Sequence, residues 1–63
     1  MKFVSFTAPN GATVRINPDQ VISIRDAMQN VDAPGAHSVI TLSSGFQAVR
    51  ESAAEVEKKL RAL

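Results

Sequence analysis

The sequence predicts a small α+β domain: a small antiparallel β-meander of four to five strands with one C-terminal α-helix packed on it. Short runs of β-branched and aromatic residues alternate with turn residues as far as residue 50. The apolar residues of the last segment recur instead at helical spacing. A chain of 63 residues has room for one domain. We therefore predict a single domain over residues 1–63, with strands at about 2–8, 12–16, 21–26, 38–42 and 46–50 and a helix at about 53–62.

The first two strands flank the dipeptide Asn10-Gly11, whose residues tolerate the positive φ angles of tight hairpin turns. A period of two places Val4 and Phe6 on one face of the first strand, and Val14 and Ile16 on the inward face of the second. This arrangement predicts an antiparallel hairpin.

The third strand follows a corner at residues 17–20, where Asn17 can cap a short helical turn. Its alternation places Ile22 and Ile24 inward. Residues 26–37 are polar and mixed, so they predict a loop, and the ends of the third and fourth strands on either side of it could extend into one long hairpin. The turn Ser43-Ser44-Gly45 then separates the fourth and fifth strands.

The helix begins with a capping box, in which Ser52 accepts from the Glu55 N–H and the Glu55 carboxylate reaches back. Two oppositely charged pairs lie four residues apart on its polar face, Glu55 with Lys59 and Glu57 with Arg61. The apolar stripe expected to pack on the sheet consists of Ala53, Val56, Leu60 and Leu63.

Composition excludes several classes of function. Without cysteine, the chain can form neither disulfides nor thiolate metal sites, which fits a reducing cytoplasm. No signal peptide or transmembrane segment is evident in the sequence, so we expect a cytoplasmic protein without membrane insertion. The net charge of +1 provides no general basic field, and nucleic acid is not an expected partner on that ground.

Candidate chemistry is sparse. His37 is the single histidine and has no second ligand at metal spacing, so we expect no catalytic residue, no metal and no cofactor. An enzyme would require a composite pocket between subunits around His37. An alternative function is a small nucleic-acid-binding regulator that uses an anion patch of the strand arginines Arg15, Arg25 and Arg50. The competing interpretation is that these arginines lie on solvated faces and protect strand edges.

One helix covers one face of a small sheet, so we expect a second apolar face that another chain covers. The residues opposite in register to the predicted inward set form this candidate oligomer face, namely Phe3, Val21, Val39 and Val49. The leading interpretation is a non-enzymatic protein-interaction or accessory module that acts as a homo-oligomer, with a further protein partner that the sequence does not identify.

A series of short motifs runs along the chain in a fixed order: Asn10-Gly11, Ile16-Asn17, Asp19-Gln20-Val21-Ile22, Val39-Ile40-Thr41-Leu42, Ser44-Gly45 and Val49-Arg50-Glu51-Ser52, followed by a helix with Val56. The order of these motifs resembles the FlbD family of small bacterial proteins, encoded among flagellar and swarming-motility genes. The resemblance implies a cytoplasmic, non-enzymatic accessory protein that acts through protein contacts in motility, and it supplies no catalytic residues. Residues 6–9 lack the basic residue that usually precedes the family's turn, and the 26–37 segment is longer than the family's connection.

Overall fold

The computed structural model describes residues 3–28 and 31–62, and its strands and helix confirm the predicted α+β class. The predicted first position of the opening strand, residue 2, and the helix-stripe residue Leu63 lie outside the described residues. The elements in order are β1 (Val4–Thr7), β2 (Thr13–Ile16), a 3₁₀ turn (Pro18–Gln20), β3 (Val21–Asp26), β4 (Ser38–Leu42), β5 (Gly45–Val49) and α1 (Ala53–Arg61).

Strands β1 and β2 form the predicted hairpin. Asn10 Oδ1 accepts the Ala12 N–H at 2.9 Å, and Gly11 has a φ of +92°, a conformation that glycine adopts without a Cβ penalty. In the resulting register Val4 lies opposite Ile16 and Phe6 opposite Val14, so the apolar residues of both strands share one face.

Strands β3, β4 and β5 form a second antiparallel sheet with β4 in the centre, so the meander is divided between two sheets. The division follows from the 3₁₀ turn between β2 and β3. Asn17 Oδ1 accepts the Asp19 N–H at 3.0 Å, and Pro18 occupies the first turn, where its missing N–H has no cost. The turn redirects the chain, and β3 pairs with β4.

Strand β3 contains a bulge at Ile22. Val21 lies opposite Leu42 and Ser23 lies opposite Thr41, so Ile22 is the additional residue between two consecutive pairs. The prediction that Ile22 points inward and Val21 outward is therefore wrong. Ile22 is 67% exposed, whereas Val21 packs against the core.

The two sheets and the helix meet in one core. β1 and β2 contribute one wall, β4 and β5 contribute another, and α1 closes the core against β1 and β3. The partly buried Leu60 adds a second helix contact to that of Val56. The buried members of the core are Val4, Phe6, Ile16, Ile40, Val49 and Val56.

Helix α1 begins at the predicted residue, and one half of the predicted capping box is present, since Ser52 Oγ accepts the Glu55 N–H at 3.2 Å. Its predicted ion pair between Glu57 and Arg61 is present. Lys59, by contrast, reaches away from Glu55 toward the β1 edge, where it has other partners.

Candidate interaction surface

Glu51 ties the edge of β1 to the start of α1. Both oxygens of its carboxylate accept the Thr7 N–H, at 2.9 and 3.0 Å. The Glu51 carbonyl accepts the hydroxyl of the buried Ser38 at 2.6 Å, and the Arg50 N–H donates to the Thr7 carbonyl at 2.7 Å. Lys59 Nζ completes this cluster, since it donates to the Ser5 carbonyl at 3.0 Å and lies 3.9 Å from Glu51 Oε2.

The pKa of Glu51 reflects two opposing causes. Burial of the side chain favours the neutral carboxyl group and raises the pKa. The hydrogen bonds from Thr7, with a smaller contribution from the charge of Lys59, favour the carboxylate and outweigh that effect, so the pKa of Glu51 lies below its ordinary value. Glu51 is therefore a structural anion within the fold.

A second carboxylate fastens the connection between β3 and β4. Asp32 accepts two hydrogen bonds from the Arg25 guanidinium, at 2.8 and 2.9 Å, and a third from the Met28 N–H at 2.6 Å. The Asp32 side chain is 7% exposed. The hydrogen bonds from Arg25, followed by that from Met28, lower the pKa of Asp32 to about 2.

The three arginines of the candidate anion patch lie on different elements and bind different partners. Arg15 is on β2, in the two-stranded sheet, and Arg25 is on β3, where it is paired with Asp32. Arg50 follows β5, and its guanidinium donates to the Pro9 carbonyl at 2.9 and 3.1 Å. Two of the three guanidiniums are thus engaged within the chain, which matches the competing interpretation of solvated, locally satisfied arginines.

The candidate oligomer face is not present as the sequence predicts it. Val39 and Val49 are 1% and 0% exposed, and Val21 packs against the core, so none of these three is free to meet another chain. Phe3, at 54%, is the one exposed member of the set.

The reasons for this difference lie in register. The turn at residues 43–44 sets Val49 opposite Ser38, on the face that carries Ile40, so Val49 points into the core. The bulge turns Val21 inward. Val39 points away from the core. Its cross-strand neighbour is Arg25, and Arg25 binds Asp32 of the β3–β4 connection, so this connection lies beside Val39.

A different apolar surface is exposed on the three-stranded sheet. We call the side of this sheet that points away from the core the outer face. It consists of two cross-strand rows, Ser23–Thr41–Phe46 and Arg25–Val39–Ala48. Phe46 is 74% exposed at one edge of the first row, and Ile22 is 67% exposed beside its other end.

The β3–β4 connection also carries exposed apolar side chains. Met28 is 58% exposed and Val31 is 69% exposed, and the Val31 N–H donates to the Met28 carbonyl at 3.1 Å. Asp32 ties their segment to Arg25, which belongs to the outer face. Four of the five large exposed apolar residues in the described ranges therefore lie on this sheet or on the connection fastened to it.

Sequence reasoning missed Phe46 and Ile22 for identifiable causes. The strand of Phe46 contains apolar residues on both faces, so alternation alone does not distinguish its buried face from its exposed face. The number of residues in the preceding turn was the usable signal, since a two-residue loop fixes the register of β5 against β4. For Ile22, no local feature of the sequence indicates the bulge.

The remaining candidate, His37, is an exposed residue next to β4. Within residues 3–28 and 31–62, no group of three or more metal-binding side chains is close enough to hold an ion. No helix in the same ranges is long and apolar enough to cross a membrane.

In comparisons with known proteins, the chain matches no family model, and no curated protein and no solved structure is significantly similar to it.

Proposed function

We propose that this chain is a small non-enzymatic module that acts through protein contacts and assembles with copies of itself. The observation that carries the proposal is the side chain of Phe46, which is 74% exposed on the outer face of the three-stranded sheet. Large apolar side chains exposed on a sheet face can mark a surface that a partner covers. A chain of 63 residues also has a small core, and association is a common way to stabilise such a domain.

The setting of this activity is also part of the proposal. The absence of cysteine supports a reducing, cytoplasmic location. The sequence resemblance to the FlbD family supports an accessory role in bacterial motility, exerted by contact with another protein. The nucleic-acid alternative receives no comparable support, because Arg25 and Arg50 are held by acceptors within the chain.

Sedimentation equilibrium tests self-association directly. We expect the weight-average mass of the full chain to rise above 6.7 kDa as its concentration increases from micromolar to millimolar. Phe3→Ser is a control for the loss of an exposed aromatic side chain elsewhere on the chain, since Phe3 is exposed but lies before β1 and not on the three-stranded sheet. It should associate as the wild type does. A mass that stays at the monomer value at millimolar concentration would contradict the proposal.

A further inference from the structure

In the part of the chain that the structure describes, no strand pairs with the outer edge of β5. Within the sheet, β5 pairs on one side with β4. The Arg50 N–H points away from β4 to the Thr7 carbonyl, and the backbone direction of a strand repeats every second residue. The N–H and C=O groups of Phe46 and Ala48 therefore point to the free side as well. Gln47 Nε2 donates to the Ala48 carbonyl at 2.9 Å, which agrees with this direction.

The outer edge of β1 is covered. Its outward groups belong to Ser5 and Thr7. Lys59 donates to the Ser5 carbonyl, Glu51 accepts the Thr7 N–H, and the Arg50 N–H donates to the Thr7 carbonyl. No strand of another chain can pair there without displacing these side chains.

The edges of β2 and β3 carry features that oppose pairing. β2 has the exposed Arg15 at its centre, so two copies paired there would bring like charges together. β3 combines the Ile22 bulge with two charged residues, Arg25 and Asp26. Bulges and charges are the usual devices that keep an edge strand unpaired.

β5 has neither a charged residue nor a bulge, and of its outward groups only the Ala48 carbonyl has a side-chain partner among the described residues, Gln47 Nε2, which a pairing strand would displace. Its sequence, Gly-Phe-Gln-Ala-Val, contains no charge and no proline, and its pairing with β4 is regular over residues 45–49. It also carries the most exposed of the large apolar residues that the structure describes, Phe46.

The strand is complementary to itself. An antiparallel pairing of two β5 strands about a two-fold axis at Gln47 sets Phe46 opposite Ala48 of the second copy, and Gly45 opposite Val49. The outward backbone groups of Phe46 and Ala48 then meet each other. The pairing ends at Gly45 and Val49, because the next outward N–H, that of Arg50, is already bound to the Thr7 carbonyl, and no charged residues lie within the paired segment.

We infer that a second copy of this chain binds along β5, so that two three-stranded sheets join into one continuous six-stranded sheet. The inference rests on the proposed function and names the surface and the partner. It accounts for two independent observations, the regular and uncharged edge of β5 and the exposed Phe46 ring, which the second copy's Ala48 would contact.

Two lysine substitutions separate edge pairing from packing of the outer faces against each other. Phe46→Lys should weaken dimerisation of the full chain at least about tenfold in sedimentation equilibrium. Ile22→Lys is the matched control, because Ile22 is similarly exposed but lies on β3, and it should change the dissociation constant less than about threefold. Equal weakening by both would show face packing, and no weakening by Phe46→Lys would show another interface. Either result overturns the inference while self-association, and with it the proposed function, stands.

A backbone probe keeps the test independent of side-chain effects on folding. N-methylation of Ala48 in the synthetic full-length chain removes an outward N–H and leaves the bonds to β4 in place. We expect the same tenfold weakening. N-methylation of Arg15, on the β2 edge, is the control and should have no effect. Dimers that tolerate the methyl group at Ala48 would overturn the inference.

Discussion

At the scale of single residues, Asp32 and Glu51 accept hydrogen bonds from backbone N–H groups that the strands and helix leave unpaired. Asp32 accepts from Met28 in the β3–β4 connection, and Glu51 accepts from Thr7 on the edge of β1. An unpaired, partly buried N–H destabilises a fold, so these two carboxylates stabilise irregular parts of a very small domain.

The low pKa of Asp32 predicts a pH-dependent contribution to stability. The pKa is about 2 in the folded chain, below the ordinary value of about 3.9 expected when unfolded. The contribution is therefore complete above about pH 4 and is lost as the pH falls through about 2. Asp32→Asn should lower the free energy of unfolding at pH 7, with the difference from wild type shrinking below pH 4.

Urea unfolding of both chains from pH 7 to pH 2 measures this difference. Asp19→Asn, on the exposed 3₁₀ turn, is the matched control and should follow the wild-type curve closely. A constant difference between Asp32→Asn and wild type at every pH would show that the charge of Asp32 has no part in its role.

At the scale of elements, Glu51 joins β1 to the segment between β5 and α1. Its partner Thr7 lies 44 positions away, and its side chain is 12% exposed. Glu51→Ala should reduce the free energy of unfolding by about 1–3 kcal/mol, because the Thr7 N–H loses its acceptor.

Glu57→Ala is the control for this prediction. Glu57 forms an exposed pair with Arg61 within α1, and such pairs contribute about 0.5 kcal/mol or less. Thermal or urea unfolding compares the two variants. Equal losses would mean that Glu51 acts as an ordinary surface charge and does not hold the two elements together.

At the scale of the whole molecule, one small core carries the stability of both sheets. Proteins have roughly 0.05–0.15 kcal/mol of stability per residue, which gives about 3–9 kcal/mol for this chain. Phe6 is 2% exposed and Val56 is fully buried in the cluster that joins β1, β4, β5 and α1. A single large loss in this core therefore approaches the total.

Phe6→Ala should lower the free energy of unfolding by about 3–5 kcal/mol, a large part of the total. Phe46→Ala removes the same atoms from a side chain that is 74% exposed, and in dilute solution it should change the free energy of unfolding by about 0.5 kcal/mol or less. Circular dichroism with urea unfolding distinguishes the two variants. A folded Phe6→Ala chain with near-normal stability would contradict this account of the core.

The sequence by itself determined the strands, the helix, and the turns and the cap at their ends. Asn10-Gly11, Asn17-Pro18 and the Ser52 cap act through bonds to backbone groups two or three residues away, so their effect is visible in the local sequence. The confirmed α+β class follows from these signals together with the periodicity of the strands and helix.

The tertiary structure alone decided which faces are buried and which edges are open. Side chains alternate between the two faces of a strand with a period of two. The bulge at Ile22 and the register of β5 therefore place residues on the face opposite to the one that the sequence predicts. The contacts of Glu51 and Asp32 join residues that only the fold brings together. The exposure of Phe46 and the edge of β5 also depend on the fold, since both are set by which strands lie beside β5.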